Sequence, residues 1–137
     1  MMEKEPPEPE NPIGTVVIGN IEPDMHDTAK EAVRRALKRA GFKTVDAGKS
    51  VAPQAFVDKA KEANADILAL SVNTVPAKNN LAKLDEALKA SGIKDKLIII
   101  MGGAAVKKED AEAIGAIFGK NKEEGVAIAK KAISEKK

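Results

Sequence analysis

The stretch Lys96-Leu97-Ile98-Ile99-Ile100-Met101, closed by Gly102-Gly103, constrains this chain more than any other. Apolar residues that follow one another without polar alternation, bounded by glycine, read as a strand buried on both faces, as in a parallel sheet covered by helices. Two further runs have the same character: Thr15-Val16-Val17-Ile18-Gly19 (strand 14–19) and Asp66-Ile67-Leu68-Ala69-Leu70-Ser71. Between and after them the apolar spacing changes to the helical period. Ala29, Ala32, Val33, Ala36, Leu37 and Ala40 mark a helix over Asp27–Ala40, ended by Gly41.

The same pattern continues along the chain. Lys43–Ala47 and Ala116–Phe118 are short strands. Pro53 suits the first turn of a helix whose inner face is Phe56, Val57, Ala60 and Ala63. A polar loop, Asn73–Asn80, leads to a helix with Leu81, Leu84 and Leu88 inward, and two more helices cover about 107–114 and 122–134, the last burying Val126, Ala129 and Ile133. Five strands alternating with five helices predict an α/β fold: a single doubly wound, flavodoxin-like (Rossmann-like) three-layer domain with a five-stranded parallel sheet.

A chain of 137 residues is one domain. Residues 1–12, acidic and proline-rich, are expected to form a disordered tail, and 13–137 the folded domain. The net charge of +2, with Lys and Glu interleaved along the helices, gives no basic stripe for nucleic acid, and no Tyr or Trp is present to stack bases. The absence of cysteine excludes disulfides, thiolate metal sites and thiol nucleophiles. No apolar run approaches the about 20 residues of a membrane span and no signal-peptide core is present, so no membrane partner and a cytoplasmic location are expected.

The chemistry gathers at strand ends. After the first strand come Asp24, Met25, His26 (the only histidine), Thr28 and Ala29; after the third, Ser71, Asn73 and Thr74; after the fourth, Gly102 and Gly103; after the fifth, Gly119. In a parallel sheet these ends share one edge, where open α/β folds bind ligands. A lone imidazole there, with a carboxylate two residues before it, is placed like a metal ligand and the group that orients it. Asp24 and Asp27 also suit the start of the first helix, Ser71 suits a strand-end backbone partner, and Gly102-Gly103 suits an ordinary turn.

In order and spacing these residues resemble the cobalamin-binding domain of corrinoid methyltransferase proteins, methionine synthase and adenosylcobalamin-dependent mutases. Its pattern, Asp-x-His-x-x-Gly, Ser-x-Leu and Gly-Gly, is matched by Asp24, His26 and Ala29; by Ser71 with Val72-Asn73; and by Gly102-Gly103, within a likeness running from about Gly14 to Ile133. The resemblance implies a cobalamin or related corrinoid cofactor with His26 as lower axial cobalt ligand and Asp24 as its orienter. It also implies a displaced nucleotide tail in the crevice, Ser71 hydrogen-bonding the tail base, and Gly102-Gly103 letting the tail pass close to the backbone. The chain departs from the family at Ala29, where a methyl replaces glycine and is expected to crowd the tail slot. It departs again at Pro23, which stiffens the approach to the ligand loop, and at Val72-Asn73, a more polar wall.

The stretches Ala47–Pro53 and Gly102–Val106, and His26-Asp27-x-x-Lys30, are most similar to carriers that shuttle methyl groups, with a methyltransferase as partner. Ala116–Gly119 looks like the small mutase subunits, whose partner is a barrel-shaped catalytic subunit. In either case the chain carries a cofactor and is not catalytic alone. A flavodoxin-like module with a weakened or absent cofactor site is the third reading. A phosphoacceptor receiver is disfavoured because Ser71 stands where its aspartate belongs, and a flavin carrier because no Tyr or Trp can stack the ring.

Overall fold

The computed structural model describes residues 4–136. It contains β1 (Thr15–Ile21), α1 (Asp27–Arg39), β2 (Lys43–Val51), α2 (Pro53–Ala63), β3 (Ile67–Ser71), α3 (Val75–Lys78), α4 (Leu81–Ser91), a 3₁₀ turn (Lys94–Lys96), β4 (Ile98–Gly102), α5 (Lys108–Glu112), β5 (Ile117–Phe118) and α6 (Lys122–Lys136). The strands form one sheet in the order β2-β1-β3-β4-β5, with every pair parallel. This is the doubly wound, flavodoxin-like architecture that the apolar runs predict.

Helices cover both faces, so the central strands are apolar in every direction. Val17, Leu68 and Met101 pack with Phe56, Leu84 and Leu88 under α2 and α4. Val16, Ile18, Ile67 and Ile100 pack with Leu37, Ala129 and Ile133 under α1 and α6. Each of these side chains other than Ala129 contributes about 1.5–3 kcal/mol when fully buried. Asp66 fastens the lower ends of the strands: its carboxylate accepts from Thr15 N at 2.9 Å, and its carbonyl accepts from Ile98 N at 3.0 Å.

Several boundaries differ from the sequence reading. β2 runs four residues beyond Ala47, because β1 keeps pairing with it past two register shifts, Gly19 meeting Gly48 and Ile21 meeting Val51. Gly48 (φ +105°) and Ser50 (φ +49°) absorb the irregularity. The loop 73–80 contains α3, started by Thr74, whose hydroxyl accepts from Ala77 N at 3.3 Å. Among the described residues the α-helices therefore number six. The predicted strand at 96–101 starts later, at Ile98, because Lys94–Lys96 winds into the 3₁₀ turn.

The N-terminal segment has no helix or strand over residues 4–12. Glu5 lies against α1, accepting from Arg34 at 2.9 and 2.6 Å and from Lys38 at 2.7 Å, while Glu8 pairs with Lys38 at 2.8 Å. Residues 1–3 of the expected tail lie outside the described residues.

Candidate functional site

β1, β3 and β4 finish level with one another: Asn20 pairs with Ser71, and Ser71 with Gly102. Their ends place the loops 22–26, 72–74 and 103–106 side by side. The short loop after β1 is fixed by hydrogen bonds rather than by packing. Asp24 N donates to Ile21 O at 2.9 Å, Ser50 N to Asp24 O at 2.8 Å, and the Asn80 amide to Glu22 O at 2.7 Å.

Asp24 is the hub of this loop, and its side chain is fully buried. Its Oδ1 accepts from His26 N at 2.9 Å and lies 2.9 Å from His26 Nδ1. Its Oδ2 accepts from Asn73 N at 2.8 Å, Asn73 Nδ2 at 3.0 Å and Asn20 Nδ2 at 3.2 Å. Burial works against the charge, but the bonds from His26, Asn73 and Asn20 outweigh it and hold the Asp24 pKa below its ordinary value. A carboxylate on Nδ1 fixes the ring as the Nδ1–H tautomer, which leaves the Nε2 lone pair free. The imidazole is 71% exposed, so that nitrogen is available to an incoming ligand. His26 occupies the N-cap of α1 without a side-chain cap bond, and Asp24 grips the loop rather than capping the helix.

Beside the loop a cavity of about 570 Å³ opens between α1 and α6 over β1, β3 and β4. Ala29, Ser71, Asn73, Gly102, Gly103 and Gly119 all line it. Met25, Thr28, Asp24 and His26 do not: Met25, Thr28 and His26 are exposed, and Asp24 reaches the wall only through its bonds to Asn73. The α1 stripe read as core is therefore divided. Leu37 is buried, whereas Ala29, Ala32 and Val33 form the cavity wall, because no helix closes over them. The two glycines after β4 also have a packing role. A Cβ at Gly102 would lie 2.8 Å from Gly119 O, and one at Gly103 would lie 2.1 Å from Val72 O. They permit close approach of neighbouring backbone, and both also line the cavity.

Sequence reading missed two buried polar groups. Asn20 faces the α1 and α6 side with Val16 and Ile18, where the strand pattern calls for an apolar residue. Lys30, one helical turn after His26, is 2% exposed and pairs with Asp46 at 2.8 Å and Glu31 at 3.2 Å. A polar residue on an otherwise apolar stripe was the available signal for both. Among the described residues no three or more His, Cys, Asp or Glu gather as a metal-binding group. A metal bound at His26 would therefore need its other positions filled by something besides a cluster of protein side chains, as a macrocycle does.

The B12 binding domain model matches residues 14–129.

The chain belongs to the B12-binding domain family.

The cofactor class of this family is cobalamin and related corrinoids. Trimethylamine corrinoid protein 2 of Methanosarcina mazei is 39% identical over 133 residues, 96% of this chain and 61% of that protein. A novel cobalamin-binding protein from Desulfitobacterium hafniense superposes with a TM-score of 0.82 at 33% identity, covering 86% of this chain and 58% of that one. The monomethylamine corrinoid protein of Methanosarcina barkeri superposes with a TM-score of 0.83 at 26% identity, covering 90% and 60%. The chain thus spans about three-fifths of the length of these relatives. Among the described residues no helix is long and apolar enough to cross a membrane.

Of the departures noted from the B12-binding domain pattern, Ala29 and Asn73 touch the cavity. Ala29→Gly is expected to raise corrinoid affinity several-fold by enlarging the slot, and to lower apo stability by about 0.5–1 kcal/mol because glycine weakens α1. Corrinoid titration and thermal melting measure the two effects. Unchanged affinity would show that the methyl is harmless.

Proposed function

We propose that residues 13–137 form a corrinoid carrier module in which His26 is the lower axial ligand of cobalt and the cavity takes the displaced nucleotide tail. The observation that carries this reading is the Asp24–His26 pair, with Nδ1 held at 2.9 Å and the opposite nitrogen bare, bonded through Asp24 to Asn73 in the wall of a cavity. That cavity lies within the about 300–1,000 Å³ common to small-molecule sites. Its wall includes Lys120 and Lys122 and no acidic side chain, which suits the phosphodiester of a nucleotide tail. Ser71, at the cavity floor, accepts from Asn73 Nδ2 at 3.1 Å and keeps its hydroxyl proton for a tail base.

When bound, a corrinoid supplies a cobalt centre able to carry a methyl group. The chain's own residues ligate, orient and shelter; substrate chemistry belongs to a methyltransferase partner. The names of the relatives, trimethylamine and monomethylamine corrinoid proteins, favour methylated amines as the methyl source over the mutase reading.

Titration with hydroxocobalamin followed by desalting tests this reading. Wild type is expected to retain the corrinoid with a shifted visible spectrum. His26→Ala is expected to lose that shift and about 100-fold or more in affinity, more than is typical for loss of an orienting group alone. An identical spectrum in the two proteins would remove His26 as the ligand.

A further inference from the structure

Asn20 stands near the end of β1, wholly buried. Its Nδ2 donates to Asp24 Oδ2 at 3.2 Å and to His26 O at 3.1 Å. Asn73 Nδ2, from beyond β3, repeats both bonds, at 3.0 Å to Asp24 Oδ2 and 3.4 Å to His26 O. Two carboxamides from neighbouring strands therefore hold the same two acceptors, one on the orienting carboxylate and one on the main chain of the histidine. The Oδ1 of Asn20, by contrast, is buried without a partner. The amide cannot turn over to relieve it, because both facing atoms are acceptors. A buried unpaired carbonyl weakens a fold, and an apolar residue of similar shape would avoid that. The carbonyl does not account for asparagine here; its two donations do.

We propose that Asn20 is a positioning residue for the axial ligand. Its carboxamide locks the Asp24 carboxylate and the His26 carbonyl in one geometry, so that the imidazole donates through Nδ1–H and presents a bare Nε2. This rests on the reading of His26 as cobalt ligand, but it has a consequence in the cofactor-free protein. Because the chain has one histidine, ¹⁵N-histidine labelling reports a single ring.

The test compares Asn20→Thr with Asn20→Val in the full chain. The two side chains have one shape and differ by one donor, and β-branched residues suit a strand. Asn20→Ala, a second donor-free variant, separates donor loss from crowding by the valine methyls. Three quantities are measured: the apo melting temperature, the tautomer of the His26 ring, and the visible spectrum with hydroxocobalamin. Val and Ala are expected to fold while shifting the ring toward a mixture containing the Nε2–H form. They should also cut the population showing the His26-dependent spectrum about tenfold, the lower end for losing an orienting group. Thr is expected to restore most of both signals.

Wild-type tautomer and spectrum in Val and Ala would overturn the proposal, as would equal behaviour of Thr and Val. If the tautomer responds but wild type itself shows no His26-dependent spectrum, the positioning role stands and cobalt ligation falls. If the spectrum depends on His26 yet ignores all three substitutions, ligation stands and the role of Asn20 falls.

Discussion

Asp24→Asn is expected to cut corrinoid affinity by about 10- to 100-fold, the range for losing the group that orients a metal-bound histidine. The carboxylate serves five N–H groups with two oxygens, His26 N and Nδ1 on one, Asn73 N, Asn73 Nδ2 and Asn20 Nδ2 on the other. Asparagine brings one oxygen. With that oxygen turned to the three donors from Asn73 and Asn20, its NH₂ opposes His26 N–H and forces Nδ1 to accept. The ring proton then moves to Nε2, the nitrogen needed for a metal. The opposite rotamer confronts three donors with two more. Leaving one buried donor unmatched costs about 1–3 kcal/mol, so the variant should also melt earlier. Hydroxocobalamin titration, thermal melting and the ¹⁵N tautomer of the ring measure these effects separately. Full affinity with an intact Nδ1–H form would contradict this account of the loop.

Gly103→Ala is expected to have the largest effect on stability, about 4 kcal/mol or more, since it joins a disfavoured backbone conformation to a direct collision. Gly103 has φ +126°, and a Cβ there would sit 2.1 Å from Val72 O and 2.6 Å from Val72 C. That carbonyl already accepts from Ala105 N at 3.1 Å, so it cannot swing aside without opening the next turn. Gly103 and Ala104 line the cavity, and Ala104 N donates to Asn73 Oδ1 at 3.1 Å. Corrinoid affinity should therefore fall together with stability. Chemical denaturation compared with Gly48→Ala gives the control. Gly48 has a similar φ of +105°, but a Cβ there meets nothing within 4 Å, so the difference between the two variants isolates the collision.

Much of this arrangement is legible in the sequence because it depends on local, repeated signals. Continuous apolar runs mark β1, β3 and β4, and helical spacing marks α2 and α4. Parallel topology then brings Asp24, His26, Ser71 and Gly102 to one edge. What escaped reading depends on pairing between distant segments. Gly48 reads as the end of a strand, yet β1 carries the ladder through it to Val51. Asn20 and Lys30 read as interruptions of apolar stripes, since their partners, Asp24 and Asp46, become neighbours only in the fold. The alanines of α1 read as core because periodicity reports which face turns inward, not whether anything fills the space it faces.

The unequal packing on the two sides of the sheet has a mechanical consequence. Phe56, Leu84, Leu88 and Met101 make the α2 and α4 side a continuous, filled layer, while the α1 and α6 side is hollowed at its upper end. The filled side serves as a keel. Strand register is maintained from below, so a bulky guest can leave the hollow side and return without the sheet being rebuilt. On the proposed reading, the framework would stay constant whether the hollow side is filled or empty.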